Sequence, residues 1–244
     1  MSELLVENQG ALRILRMNRP EKHNALNTAL TQALFDALLT ADRDRSVNAI
    51  VLTGEGKSFC AGADTKEFSS LVPDDPQAVR DRGYLTTNLH ACFSQLSKPV
   101  IAAVEGNALG GGAGLAIACD LVVASESTRY GYPELKHGIV AAVVMSNLVR
   151  QLGRKKAFQL LALCEPLSGT QMAEWGLANW VTPAGQALEK AIEVAQTLAG
   201  WKPIAVSTTK QLFHRVAELT LQEGLEAGRD TNMLMRGFRQ EDKA

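Results

Sequence analysis

The sequence predicts an α/β fold in which a largely parallel sheet is followed by a helical C-terminal region. Three short apolar runs, residues 48–54, 98–106 and 119–125, have the length and composition of buried strands. Segments with helical periodicity separate these runs, and strands that alternate with helices favour parallel pairing. A chain of 244 residues suits one large domain with a sizeable core.

The first elements are a β-hairpin and a helix. Two apolar segments, 4–6 and 12–17, flank the turn-forming residues 8–10, which is the pattern of a hairpin. Asn27 or Thr28 can then cap a helix, because apolar residues recur behind them at helical spacing.

The middle of the chain carries the three strands and one long helix. A polar segment, PDDP at 73–76, follows the first apolar run, and a helical pattern then extends to about Leu96. Asp64 can cap a short helix ahead of the polar segment.

The C-terminal part is predicted to be helical. Residues 146–164 indicate two helices broken at Gly153. Ser168 is a suitable cap for the next helix, and further helices are predicted over 184–200 and 204–224.

Composition excludes several classes of function. The formal net charge of -1 gives no reason to expect binding to nucleic acid or to an anionic membrane. The first ten residues lack the pattern of a signal peptide, and the most apolar stretch, 108–124, contains Asp120 and several glycines, which favours core over a membrane span. Four cysteines without C-x-x-C spacing indicate buried free thiols in a cytoplasmic protein.

The stretch ALGGGAG, residues 108–114, is the first feature that indicates a function. Ordering glycines is entropically costly, so a run of them implies that bare backbone is needed. The dinucleotide motif G-x-G-x-x-G fails because Leu115 and Ile117 stand where its last glycine is required, and the P-loop lysine is absent. Close approach of a ligand to free N–H groups at a helix start is the remaining functional interpretation.

A second loop of small residues, GKSFCAGADTKEF at 56–68, also follows a predicted strand. Two strand-to-helix loops with bare N–H groups can converge on one carbonyl oxygen. Such a pair of donors is what an oxyanion hole requires.

Five segments resemble the crotonase superfamily, also called the enoyl-CoA hydratase/isomerase family, and they occur in the family's order. They are NRPEKHNALN (18–27), IVLTGEGKSFCAGADTKEF (50–68), KPVIAAVEGNALGGGAGLAIACDLVVAS (98–125), YGYPELKHGIV (130–140) and LSGTQMAEWGLANWV (167–181). The resemblance implies a crotonase-like spiral of ββα units over 1–190 and a helical region over 191–244 that builds a homotrimer or hexamer. It also implies an acyl-CoA thioester as substrate, with coenzyme A as part of that substrate and no further cofactor.

The resemblance assigns roles to individual residues. The oxyanion N–H groups fall on Ala63 and Gly111, and the dipole of the following helix points at the same oxygen. Further residues fall on the substrate-binding and CoA-binding segments: Ala25 at the adenine end, and Ala61, Gly62, Asp64 and Gly110 around the pantetheine and the pocket.

The predicted acid/base chemistry depends on two positions. The family's hydratases use two glutamates, and these positions are Glu134, which is present, and Gly114, where the second glutamate is missing. One carboxylate is enough to move a proton between C2 and C4 of a 3-enoyl-CoA, a pattern similar to that of the Δ3,Δ2-enoyl-CoA isomerases. We therefore expect double-bond isomerisation, with hydration of 2-enoyl-CoA as the alternative and non-catalytic acyl-CoA binding as an alternative of another class.

Histidines and metal ligands complete the candidates. Glu134 and His137 form E-x-x-H, half of a di-iron signature whose other half is absent, so no metal is expected. His23 and His90 are lone histidines, which are usually structural, but either could be a hidden second acid/base group.

Overall fold

The structure is a computed structural model that describes residues 2–70 and 75–237. The predicted polar segment at 73–76 lies partly outside the described residues. The last seven residues of the predicted region 191–244 lie wholly outside them.

The described strands, in chain order, are β1 (Leu4–Gln9), β2 (Leu12–Met17), β3 (Ala49–Gly54), β4 (Val100–Val104), β5 (Asn107–Leu109), β6 (Leu121–Ser125), β7 (Arg129–Gly131), β8 (Leu167–Ser168) and β9 (Trp180–Thr182). One sheet has the order β1-β2-β3-β4-β6-β9, and a smaller sheet has the order β5-β7-β8. In the larger sheet only the β1–β2 hairpin is antiparallel. The predicted α/β class with largely parallel pairing is confirmed.

The described helices are α1 (Thr28–Arg43), α2 (Thr65–Ser70), α3 (Pro76–Cys92), α4 (Gly111–Ala118), α5 (Met145–Leu163), α6 (Gly169–Glu174), α7 (Ala187–Ala199), α8 (Pro203–Val216) and α9 (Leu221–Met235). Short 3-10 helices occur at Pro20–Lys22 and Glu134–His137. Asn27 is the cap of α1, since its side chain accepts a hydrogen bond from the Leu30 N–H at 2.8 Å. The break predicted at Gly153 is present inside α5, where this residue has φ 70°.

The central strands β3 and β4 are buried on both faces because helices cover each side of the sheet. Along β3, Ile50 and Leu52 pack into the larger core with α1, α3 and α4. The alternate residues, Ala49 and Val51, face the small alanines of α7. The predicted boundary between the spiral core (1–190) and the helical region (191–244) falls within α7. This division of the chain stays a prediction.

The helix predicted over 204–224 is wrong in one respect, because two helices occupy this segment. α8 ends at Val216 and α9 starts at Leu221. The break is set by Thr220, whose side chain accepts a hydrogen bond from the Glu223 N–H, while the Thr220 N–H donates to Glu223 Oε2. This reciprocal capping box fixes a helix start at that point.

No helix within residues 2–70 and 75–237 is long and apolar enough to cross a membrane.

Candidate active site

Two loops meet at the site, one after β3 and one between β5 and α4. The loop after β3 pairs with β5, since the Cys60 N–H donates to the Asn107 carbonyl and the Leu109 N–H donates to the Cys60 carbonyl, each at 2.9 Å. A Cβ at Gly112 would overlap the Cys60 carbonyl. Glycine is therefore required at this position for the two loops to touch.

The loops bring the N–H groups of Ala63 and Gly111 together. The Ala63 nitrogen lies 4.0 Å from the place where a Cβ of Gly111 would stand, and the Gly111 nitrogen lies 3.4 Å from the corresponding point at Gly62. Gly62 has φ +94°, a conformation that other residues rarely adopt. Neither N–H group donates a hydrogen bond within the described part of the chain. Both are free to bind an oxygen, and Gly111 also opens α4 at its positive dipole end.

Glu134 approaches the same backbone from the other side. It begins the 3-10 helix that follows Pro133, and the Gly110 N–H holds this segment in place by donating to the Gly131 carbonyl at 2.8 Å. Glu134 Oε1 lies 2.9 Å from the position that a Cβ of Gly110 would take. Any larger residue at 110 would displace the carboxylate.

The Glu134 carboxyl is half-buried and only partly satisfied. Its Oε2 atom is buried without a hydrogen-bond partner among the described residues. Burial raises the pKa of Glu134 above its ordinary value, although a backbone hydrogen bond and the nearby His137 act in the opposite direction. A carboxyl with a raised pKa is suited to take up and return a proton nearer to neutral pH.

An apolar cavity of about 400 Å³ adjoins Glu134. Its lining comes mainly from the 3-10 helix, the following loop and α5: Tyr132, Glu134, Leu135, Val140, Ala141, Met145, Val149, Arg154, Phe158, Leu161 and Ala162. The volume and the lining suit an aliphatic or aromatic acyl chain.

The position predicted to lack a glutamate, Gly114, is tightly enclosed. A Cβ there would overlap the Val144 side chain and would lie 2.9 Å from His90 Nε2. His90 extends from α3, and its Nδ1 atom is 3.2 Å from the Thr86 carbonyl. Burial lowers the pKa of His90, the carbonyls of Thr86 and Gly111 raise it in part, and Arg82 lowers it further.

The residues expected to bind coenzyme A are linked by an arginine that the sequence did not indicate. Arg19 donates to the Ala25 carbonyl at 2.5 Å and to Asp64 Oδ2 at 2.8 Å. This hydrogen bond lowers the pKa of Asp64. The Ala61 N–H donates to the His23 carbonyl at 2.9 Å, so the segments around Ala25 and Ala61 lie side by side.

The other sequence candidates lie away from the reacting groups or at their edge. The His23 ring is 3.1 Å from Ser58 Oγ and is solvent-exposed. His137 is also exposed. No group of three or more His, Cys, Asp or Glu side chains that could hold a metal ion occurs in the two described ranges.

The chain is similar to a known protein family over most of its length. The model of the family described as enoyl-CoA hydratase/isomerase matches residues 7–243. The chain is 39% identical over 225 residues to a protein named "Probable enoyl-CoA hydratase" from Rhizobium meliloti (strain 1021), covering 91% of this chain and 85% of that protein. It is 37% identical over 236 residues to the 2,3-dehydroadipyl-CoA hydratase of Escherichia coli (strain K12), covering 96% and 91%.

A solved structure shares the fold. The enoyl-CoA hydratase of Mycobacterium smegmatis superimposes with a TM-score of 0.91 at 29% identity, covering 96% of this chain and 91% of that one.

Proposed function

Because the chain belongs to the enoyl-CoA hydratase/isomerase family, we propose that it binds an acyl-CoA thioester, stabilises its enolate and adds water to a 2-enoyl-CoA. The observation that carries the proposal is the meeting of Glu134 with the free N–H groups of Ala63 and Gly111 around Gly110. Relatives named as hydratases support hydration over the isomerisation that the sequence favours.

The backbone supplies the electrostatic part of the reaction. The thioester oxygen accepts hydrogen bonds from the Ala63 and Gly111 N–H groups, and these bonds strengthen as negative charge develops on the oxygen. One such donor typically contributes about 3 kcal/mol to the stabilisation of the transition state. The adjoining apolar cavity receives the acyl chain, while Ala25, Ala61, Gly62 and Asp64 belong to the CoA side.

Glu134 supplies the proton transfer. As a carboxylate it takes a proton from water while the water oxygen bonds to C3 and the C2=C3 electrons move into the thioester enolate. The enolate then takes this proton at C2, which regenerates the carboxylate. One water is consumed and no charge is left on the protein.

Isomerisation is the second candidate, and Gly114 is the observation that favours it. With no carboxylate at 114, Glu134 alone can move a proton between C2 and C4 of a 3-enoyl-CoA.

A paired incubation separates the candidates. With 2-enoyl-CoA, hydration removes the absorbance of the conjugated thioester and adds the mass of one water. With 3-enoyl-CoA, isomerisation alone creates the conjugated absorbance without a mass change. Saturable binding of both substrates without any product would leave the protein a non-catalytic acyl-CoA binder and contradict the proposal.

We also propose that the chain assembles into a homotrimer or a hexamer. α8 and α9 expose large apolar side chains, among them Phe213, Leu221, Leu225 and Leu234. Exposed apolar patches of this kind mark interaction surfaces. Light scattering at micromolar concentration should give three or six times the chain mass, and a stable monomer would contradict the assembly.

A further inference from the structure

Gly114 leaves room for a side chain that comes from another element. His90 Nε2 lies 2.9 Å from the position that a Cβ of Gly114 would occupy. Any other residue at 114 would push against the imidazole or against Val144. The glycine therefore does more than remove a carboxylate, because it admits the His90 ring to the first turn of α4.

The protonation of His90 is set by its neighbours. Nδ1 is 3.2 Å from the Thr86 carbonyl, which can only accept a hydrogen bond, and the neutral tautomer with the proton on Nδ1 satisfies this carbonyl. In this tautomer Nε2 presents its lone pair, which the nearby Gly111 carbonyl cannot satisfy because it is itself an acceptor. This atom is fully buried and has no hydrogen-bond partner within the described residues. A buried polar atom in this state calls for a partner that the protein itself does not supply.

His90 and Glu134 are placed alike relative to α4. Each has a polar atom 2.9 Å from the Cβ position of a glycine, Gly114 for the histidine and Gly110 for the glutamate. The Gly114 N–H donates to the Gly110 carbonyl at 3.0 Å, so the two glycines are one helical turn apart. Both His90 and Glu134 also carry a buried atom without a partner among the described residues.

We propose that His90 is the second catalytic side chain of the site and that its Nε2 atom binds and orients the water that Glu134 activates. Because both side chains lie against the start of α4, one water between them can donate one O–H to Glu134 and the other to His90 Nε2. This inference rests on the proposed hydration.

The step balances without a further reactant. The water O–H bond facing Glu134 breaks, its proton passes to the carboxylate and then to C2, and the oxygen forms the new bond to C3. The second O–H stays intact and keeps its hydrogen bond to His90 Nε2, so this group orients the water and increases the charge on its oxygen. Formation and reprotonation of an enolate from a saturated acyl-CoA need Glu134 and the two N–H groups but no such water.

The experiment compares two reactions of each variant. One is hydration of a 2-enoyl-CoA, and the other is exchange of the C2 hydrogen of a saturated acyl-CoA with D2O. For His90→Gln we expect the hydration rate to fall by a factor on the order of a hundred or more. The exchange rate should stay within about threefold of that of the unmodified protein, because exchange does not use the bound water. His23→Asn, which replaces an exposed histidine, is the matched control and should leave both rates unchanged.

Folding defects are separated by rescue. His90→Gly should recover hydration when imidazole is added, whereas Glu134→Gln should not. A folded His90→Gln protein that hydrates normally would overturn the role of His90, and so would an equal loss of hydration and exchange. An unmodified protein that exchanges C2 hydrogen but does not hydrate would instead refute the proposed hydration itself, and with it the inference.

Discussion

The two sides of the α4 helix start differ in how their chemistry is positioned. On one side, Glu134 is the last residue of the local sequence YPE and begins a 3-10 helix, and the Gly110 N–H holds this segment by donating to the Gly131 carbonyl. On the other, Gly114 carries no functional group, and the space around it is taken by Val144 and His90. A functional side chain that lies within a recognisable motif can be predicted from the sequence. One that is contributed by a helix distant in the chain is identified only from the structure.

The largest effect on activity should come from substituting Glu134, the side chain that lies within its own motif. Glu134→Gln keeps the shape of the side chain but cannot accept a proton, so hydration and C2 exchange should both fall by hundreds-fold or more. Steady-state rates on 2-enoyl-CoA, with circular dichroism as a check of folding, measure this. A folded variant with full activity would remove the basis of the comparison.

Gly111→Pro tests the backbone between the two sides. Gly111 is the first residue of α4, a position where proline is compatible with a helix. Loss of one N–H should lower turnover by an amount equivalent to about 3 kcal/mol while CoA binding remains measurable. Turnover rates, together with calorimetric measurement of the binding of an unreactive acyl-CoA, separate the loss of catalysis from a loss of binding. Near-normal turnover would rule out the Gly111 N–H as a donor to the thioester oxygen.

Gly114→Glu sharpens the comparison by adding the missing carboxylate. The new side chain overlaps Val144, so the single variant should lose about 1–3 kcal/mol of stability. Adding Val144→Gly should restore part of that stability. When Gly114→Glu and Val144→Gly are combined with His90→Gln, the hydration rate should rise above that of His90→Gln alone. Chemical denaturation and hydration rates follow the two effects. A stable single variant would show that the enclosure of Gly114 is not as tight as described.

The pH dependence is the smallest and most specific effect. Glu134 must be a carboxylate to accept a proton, and burial raises its pKa above the ordinary value. Activity should therefore be complete well above that raised pKa and should fall as the pH drops through it, at a higher pH than an exposed glutamate would give. A profile of kcat/KM that stays flat down to the ordinary range of a glutamate would contradict the raised value.

Long and periodic elements could be predicted from the sequence, but short ones could not. β3, β4 and β6 lie within the predicted apolar runs, and α1 starts directly after its predicted cap, Asn27. In contrast, β8 has only two residues, which is too few for any periodicity. Such strands exist because their neighbours pair with them.

The candidate site divides in the same way. Glu134 and the glycine loops lie in recognisable segments, but the proximity of Arg19 to Asp64 spans 45 residues. The proximity of His90 to Gly114 likewise depends on how α3 packs against α4. Nothing local to either position signals these contacts.

The central claim, that one fixed carboxylate carries the C2 proton, is tested most directly by hydration in D2O with the product analysed by NMR. A single glutamate held against the pocket wall predicts deuterium on one face of C2 only. Deuterium distributed over both faces would mean that solvent, and not Glu134, delivers the proton.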